Sequence, residues 1–318
     1  MLKVIIANIA LLLFIGCSNH GGSLGASWQA DDYFDDAQVI ALCHAIEAND
    51  LEEIERLITA GADVNAIGKD NMTPLLWAFP DNKLERFTKL LEAGADPNVV
   101  FKSKYGTKDI EPKDSLIHLA IKAHAEGYLE AILKNGGDPN LADESGDYPL
   151  HVVVKRGINK QDNIKLLLKA GADIDATSKG GFGDTPVMRA IGWFAQYKLA
   201  VFLLEQGADP KVCQTRQLTN AMEVMLLSEM VRSKHWPPQT QAEFKELEKW
   251  FVDHGYDMKK TRADYDRWVK WSRENKPRIA KESLGYRERA ARHAKELAAK
   301  EEKVKPKEPV KQPVVLEK

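Results

Sequence analysis

The sequence predicts an all-α fold, a solenoid of stacked helix-turn-helix units, and three observations lead there. First, a five-residue signature recurs as Gly61-Ala62-Asp63-Val64-Asn65, Gly94-Ala95-Asp96-Pro97-Asn98, Gly136-Gly137-Asp138-Pro139-Asn140, Gly171-Ala172-Asp173-Ile174-Asp175 and Gly207-Ala208-Asp209-Pro210-Lys211, at intervals of 33, 42, 35 and 36 residues. Second, apolar residues stand seven, four and three positions before each glycine, as Ile54, Leu57 and Ile58 do before Gly61. That spacing is one face of a helix, and the glycine falls where the helix must end in a left-handed residue. Third, an opening signature lies upstream in each unit: Thr73-Pro74-Leu75-Leu76-Trp77-Ala78, Ser115-Leu116-Ile117-His118-Leu119-Ala120, Tyr148-Pro149-Leu150-His151 and Thr185-Pro186-Val187-Met188-Arg189-Ala190. A hydroxyl there caps the first orphan amides, and proline is tolerated at the first helical position because its missing N–H would be unbonded anyway.

The two signatures in one unit, T-P-L-H-x-A and then G-A-D-x-N, resemble the ankyrin repeat. The resemblance implies an ankyrin-repeat solenoid with finger loops over residues 37–258, in units of about 37–69, 70–102, 103–144, 145–179, 180–215 and a degenerate 216–258 ending in Gly255-Tyr256-Asp257. Ile40 to Ala45 fill the inner-helix slot of the first unit, with Cys43 where the histidine usually stands, and Leu218 to Ala221 fill it in the last. It also implies that His118 and His151 fasten adjacent finger loops by hydrogen-bonding neighbouring backbone, and that Trp77 packs into the stack.

A single unit cannot bury its own apolar face, so the two ends must be built differently from the middle. At the front, residues 17–36 read as a tether and an N-terminal cap carrying Tyr33-Phe34. At the back, Pro237-Pro238 separate two long helices, expected over 221–234 and 242–254. Residues 259–302 read as a charged helical extension whose Trp268 and Trp271 pack on the cap, and 303–318 as a disordered Lys/Pro tail.

The compartment is read from the first residues. Lys3 precedes an apolar run from Val4 to Ile15 that is too short to span a bilayer, and it ends in Phe14-Ile15-Gly16-Cys17. This resembles a bacterial lipobox, with Phe14 where leucine is usual. It implies a signal peptide over 1–16, lipidation of Cys17 into the bilayer, and, with Ser18 following, an outer-membrane position facing the periplasm. Several acyl chains would anchor the chain stably where one would not. Gly21-Gly22-Ser23-Leu24-Gly25 fits a nucleophile-elbow pattern but lacks the strand and helix that chemistry requires, so it reads as a chance match.

Charge narrows the partners. The whole chain has a formal net charge of -2, but residues 262–318 carry 17 Lys/Arg against 10 Asp/Glu and the rest 28 against 37. The body is acidic and the tail interleaves both signs, so no nucleic-acid partner is expected. No phosphate cradle and no zinc spacing is present. The reading is accordingly no enzyme, no cofactor, no metal and no small-molecule substrate. Cys43 and Cys213 sit at opposite ends of the expected stack, far beyond the ~7 Å limit for a disulfide, and are expected as free thiols with Cys43 buried.

In the ankyrin family the binding surface is concave, made of finger-loop tips and the start of the inner helix. Carried onto this chain, the expected protein-binding residues are Lys69, Asp70 and Met72; Glu144 and Asp147; Phe182; and, along the inner helices, Asp81, Arg156 and Trp193. Ser145, Lys179, Asp184, Lys122 and Lys155 belong to the same surface. The third unit adds an insertion from Phe101 to Lys113 whose Phe101, Tyr105 and Ile110 read as exposed aromatic and apolar anchors, the side chains that dominate interfaces. Three readings stay open at this point. One is a membrane-anchored periplasmic protein that binds another protein, in its sharper form an immunity protein against an envelope-targeting phospholipase toxin, since ankyrin lipoproteins resemble partners encoded beside type VI secretion effectors of that class. The second is a structural envelope protein docking on anionic lipid or cell wall through its basic tail. The third is an enzyme, which no constellation of residues supports.

Overall fold

Each half of the repeat signature becomes a helix. The computed structural model describes residues 28–103, 112–123, 125–180, 183–214, 219–233, 236–267 and 269–270, and these hold helices and no strand. Helices pair as α1 (Ala37–Ala48) with α2 (Leu51–Thr59), α3 (Pro74–Trp77) with α4 (Leu84–Glu92), and α5 (Leu116–Lys122) with α6 (Tyr128–Lys134). They continue as α7 (Pro149–Arg156) with α8 (Lys160–Lys169), α9 (Pro186–Gly192) with α10 (Tyr197–Glu205), and α11 (Ala221–Arg232) with α12 (Pro238–Asp253). The first of each pair forms an inner row, in which α5 packs on α7, α7 on α9 and α9 on α11; the second forms an outer row, in which α2 packs on α4, α4 on α6 and α10 on α12. Two compact units emerge, residues 1–258 and 259–318, and within the second residues 259–267 are helical.

The outer helices bury the stripe that the sequence marks. The residues seven and four positions before each glycine, from Ile54 and Leu57 to Ala200 and Leu203, are buried in all five units. Gly61, Gly94, Gly136, Gly171, Gly207 and Gly255 then end their helices with φ between +82° and +101°, and all six would meet nothing if given a Cβ. Glycine is required there for conformation, not for space. Inner helices begin on their caps: Thr73 Oγ1 accepts from the Leu76 amide at 3.0 Å, and Thr185 Oγ1 from the Met188 amide at 3.3 Å.

The G-A-D-x-N turns are stitched to one another. Each aspartate accepts the amide two residues on, as Asp63 does from Asn65 at 2.8 Å. Each asparagine then reaches the following repeat twice: Asn98 Nδ2 donates to the Gly136 carbonyl at 2.9 Å while its Oδ1 accepts the Asp138 amide at 2.7 Å. Asn65 and Asn140 do the same to Gly94 and Asp96, and to Gly171 and Asp173. At Asp175 the ladder keeps only its accepting half, from the Asp209 amide at 2.9 Å, because a carboxylate has no N–H to offer. Burial raises the Asp175 pKa; the hydrogen bond from the Asp209 amide opposes the rise, and the Asp209 and Asp173 charges add to it.

The second repeat is built by other means. Its inner helix stops at Trp77, and Asp81 and Asn82 turn the chain in the left-handed region after Pro80. The carbonyls left over are held by buried Arg86, which donates to Ala78 at 3.2 Å and Pro80 at 2.6 Å, and it also reaches Ile46 of the first repeat at 2.9 Å. Trp77 is buried as expected, with Trp28, Tyr33 and Phe34 closing over it at ring-centre distances of 5.3, 5.8 and 6.2 Å. At the other end Trp236 and Phe244 close over Tyr197 at 5.5 and 5.4 Å. Helix α12 begins at Pro238, four residues before the expected start, because proline is well placed in a first turn. Cys43 is buried and Cys213 exposed, both as free thiols. Trp268 and Trp271 lie outside the described residues.

Candidate functional site

Finger loops connect each outer helix to the next inner one, and one backbone hydrogen bond closes the base of each. Gly68 donates to the Met72 carbonyl at 2.8 Å, Phe101 to Asp114 at 2.9 Å, Asp143 to Asp147 at 2.9 Å, Ser178 to Asp184 at 3.0 Å and Gln214 to Thr219 at 2.7 Å. Met72, Asp114, Asp147, Asp184 and Thr219 are therefore equivalent: each stands just before an inner helix, at the foot of a loop and not at its tip. Neighbouring loops are also hooked together, Lys102 to the Asp70 carbonyl at 3.1 Å and Lys179 to Gly146 at 2.8 Å. The last hook brings Gly180 so close that a Cβ there would sit 1.9 Å from the Ser145 carbonyl oxygen.

This geometry corrects three of the expected contact residues. Met72 is fully buried, because the residue that closes the loop turns its side chain beneath it. Asp147 is buried for the same reason. Phe101 is not an exposed anchor of the insertion: it is buried, and its backbone pairs with Asp114 and Lys113 to close the insertion's base. Asp184 also lies buried at a loop foot. Asp81, expected on the inner helix, stands exposed in the turn after it, 3.6 Å from Arg86. Lys69, Glu144, Arg156 and Trp193 are exposed, and Asp70 is partly exposed. Tyr105, Ile110, Phe182 and Cys17 lie outside the described residues.

The three buried carboxylates find three different partners. Lys122, seven residues past the helix-opening Ser115, returns to Asp114 at 2.7 and 2.8 Å. Lys155 holds the same position in the next unit but stands 3.9 Å from Asp147, because Arg189 reaches across from α9 and takes that carboxylate at 2.5 Å. In the following unit the same position is Gly192, and Asp184 instead accepts the Trp193 indole N–H at 2.7 Å and is also bonded by Gln214. None of these partners is adjacent in sequence. The aspartate preceding three helix-opening residues is the one signal by which the acids could have been found.

Of the two motif histidines, His151 fastens neighbouring loops and His118 caps its own helix. His151 Nε2 donates to the Asp184 carbonyl at 2.8 Å, tying one loop foot to the next. Burial pushes its pKa down to about 4, and the Arg189 cation adds to the fall. His118 Nδ1 accepts the Ser115 amide at 3.2 Å, and burial lowers its pKa as well. Among the described residues no group of three or more His, Cys, Asp or Glu side chains is placed to hold a metal ion. A polar notch of about 90 Å³ opens between the third and fourth units, rimmed by Lys122, Glu144, Ser145, Lys155 and Arg156, room for one side chain and well below a typical ligand pocket.

The family description "Ankyrin repeats (3 copies)" matches residues 117–213. Ankyrin repeat protein nuc-2 of Neurospora crassa is 32% identical over 173 residues, covering 53% of this chain and 15% of that protein. Human ankyrin repeat and SOCS box protein 6 is 32% identical over 108 residues, covering 28% of this chain and 25% of that protein. The chain thus spans a minor part of the length of these relatives. A solved ankyrin repeat domain from Acinetobacter baumannii AYE superimposes with a TM-score of 0.52 at 20% identity, over 68% of this chain and 98% of the domain. Inner and outer helix rows, left-handed glycines, stitched turns and hooked finger loops are thus those of an established fold, and the chain carries ankyrin repeats.

Proposed function

We propose that this chain is a lipid-anchored protein of the bacterial envelope that holds a protein partner on its concave face, and that the partner is an envelope-targeting phospholipase toxin which it neutralises. The observation that carries the binding function is Trp193. Its indole N–H is satisfied internally by buried Asp184, while the side chain remains 52% exposed beside Phe194. An aromatic plate fixed in orientation before its partner arrives is the kind of residue that dominates interface energetics. The anchor rests on the Phe14 to Cys17 motif, and confinement at a membrane raises the effective concentration of an inhibitor where a phospholipase works.

Affinity capture with the full chain from envelope fractions of sister cells tests the proposal, with Trp193→Ala as the matched control. The expected result is a protein retained by the wild type and lost by a variant of unchanged circular dichroism, whose lipase activity falls when the chain is added. Failure of the wild type to retain any protein overturns the binding function. A Cys17→Ala variant that still fractionates as a mature membrane protein overturns the anchor.

A further inference from the structure

The competition for Asp147 has a consequence at the surface. In the third unit Lys122 is spent on its own acid and is only 9% exposed, whereas Lys155, displaced by Arg189, stands 42% exposed at the end of α7. Arg156 follows it, exposed and with no ion pair among the described residues. The nearby acids have partners, Asp114 in Lys122, Asp147 in Arg189 with Lys155 farther off at 3.9 Å, Glu144 in Lys113 at 3.6 Å, and Asp143 in the uncharged Asp147 amide at 2.9 Å, so these four acids face the five cations Lys113, Lys122, Lys155, Arg156 and Arg189. The end of α7 therefore carries surplus positive charge on an acidic body.

Apolar surface lies beside that charge. Ile158, two residues on, is 50% exposed, and Trp193 and Phe194 end the neighbouring α9, which packs on α7. The two helix ends are locked together: Lys160 donates to the Val154 carbonyl at 2.7 Å and to Gln196 Oε1 at 2.8 Å, and Gln196 donates to the same carbonyl at 3.3 Å. Cations and rings are thus held at one helix spacing, about 8–10 Å.

We infer that the end of α7 and the turn after α9 seat a segment of the partner protein that presents a carboxylate to Lys155 and Arg156 and an aromatic or aliphatic side chain to Trp193, Phe194 and Ile158. The inference rests on the protein-binding function proposed above and specifies the chemistry of its partner. About three residues separate the two groups if the segment is extended, or six to seven if it is helical. The acidic body does not oppose this. Charges of the body more than about 8–10 Å from the segment are largely screened by salt, whereas the cation pair acts at contact, where screening is weak. Arg189 acts here as a positioning residue, since it holds Asp147 and so keeps Lys155 turned outward.

The test is fluorescence anisotropy of the full chain with three labelled twelve-residue peptides: one with two glutamates three residues from a Leu-Phe pair, one with lysines for the glutamates, and one with serines for Leu-Phe. The glutamate peptide should bind at least about tenfold more tightly than either other, the equivalent of one charge-assisted contact. Lys155→Glu with Arg156→Glu should reverse the order of the glutamate and lysine peptides. Trp193→Ala should remove the advantage of Leu-Phe over serine. Arg189→Met should weaken the glutamate preference by letting Lys155 return to Asp147, as Lys122 does to Asp114, with circular dichroism unchanged. Equal binding of the three peptides, no binding, or a glutamate preference that survives both the charge reversal and Arg189→Met overturns the inference. A partner captured from envelope fractions equally by the wild type and by the charge-reversed chain would sink it while leaving the broader protein-binding function standing.

Discussion

The second repeat and the three that follow close their finger loops with the same backbone hydrogen bond and set different chemistry beneath it. Under the second repeat's loop lies Met72, and the polar work of the repeat is done elsewhere, by Arg86 on the Ala78 and Pro80 carbonyls at the broken end of its inner helix and on Ile46 of the first repeat. Under the next three lie Asp114, Asp147 and Asp184, whose partners are a lysine of the same unit, an arginine of the next, and a tryptophan with a glutamine. A loop foot thus needs only to be filled and satisfied. Which polar groups satisfy it decides which side chains remain for the surface: no cation is committed under Met72, whereas Asp147 and Asp184 leave a displaced lysine and an oriented indole exposed.

The comparison is broken most severely at Arg86. Arg86→Ala strands the Ala78 and Pro80 carbonyls, while Ile46 keeps the Asn49 amide, and should lower unfolding free energy by about 2–5 kcal/mol, the cost of two buried unsatisfied acceptors. A urea denaturation showing a loss below about 1 kcal/mol would mean that water replaces the guanidinium and that the second repeat does not depend on it. Leu90→Ala, in the outer row of the same repeat, should cost about 2–5 kcal/mol by opening a cavity.

Acid separates the repeats next. His151 is neutral in the fold, with a pKa of about 4 against an ordinary value of 6.5. Its contribution is complete above pH 6.5 and is lost as pH falls from there to about 4, because only the unfolded chain takes up the proton in that window; the total is at most about 3 kcal/mol. His118, lowered in the same direction, adds to the loss. Hydrogen exchange measured at pH 7 and pH 5 should show α5 to α9 losing protection before α3 and α4. Uniform loss along the stack would remove the distinction between the two regions.

Smaller effects sharpen it. Asp175→Asn should restore the missing donor to the Gly207 carbonyl and gain about 1 kcal/mol, the net value of one hydrogen bond. Because the Asp175 pKa is raised in the fold, that carboxylate weakens the protein as pH rises through its titration, and the asparagine variant should lack this contribution. A thermal melt unchanged or lowered in Asp175→Asn would show that water already serves the carbonyl. Lys69→Ala, at an exposed tip whose backbone hook to Tyr33 is untouched, should change stability by less than about 0.5 kcal/mol.

Particular residues show how far the sequence could be read. The outer-helix stripe, the left-handed glycines, the Thr73 and Thr185 caps, the burial of Cys43 and Trp77 and the fastening by His151 were all legible, because each depends on spacing within one unit or on a resemblance carried by contiguous residues. Met72, Phe101 and Asp147 were misplaced on the accessible face. The motif places Met72 and Asp147 at loop tips and Phe101 in an exposed insertion, whereas the closing hydrogen bonds put all three at a loop's base. Arg86, Ile158 and Phe194 drew no notice, since an arginine in an amphipathic helix and an apolar residue after one look ordinary without their neighbours.

The sequence by itself determined that this chain stacks helical pairs, since a period near 33 with one apolar stripe per helix leaves each unit unable to bury its face alone. It also determined where the stack turns, since only glycine enters the left-handed region freely. The tertiary structure alone decided which charges are spent. Lys122 and Lys155 occupy the same position of successive units and are indistinguishable in the sequence. One is buried on its aspartate and the other stands exposed because Arg189, 42 residues beyond Asp147, reaches that carboxylate from the next repeat. Such an outcome depends on distances between units, and a local pattern of residue types carries no record of them.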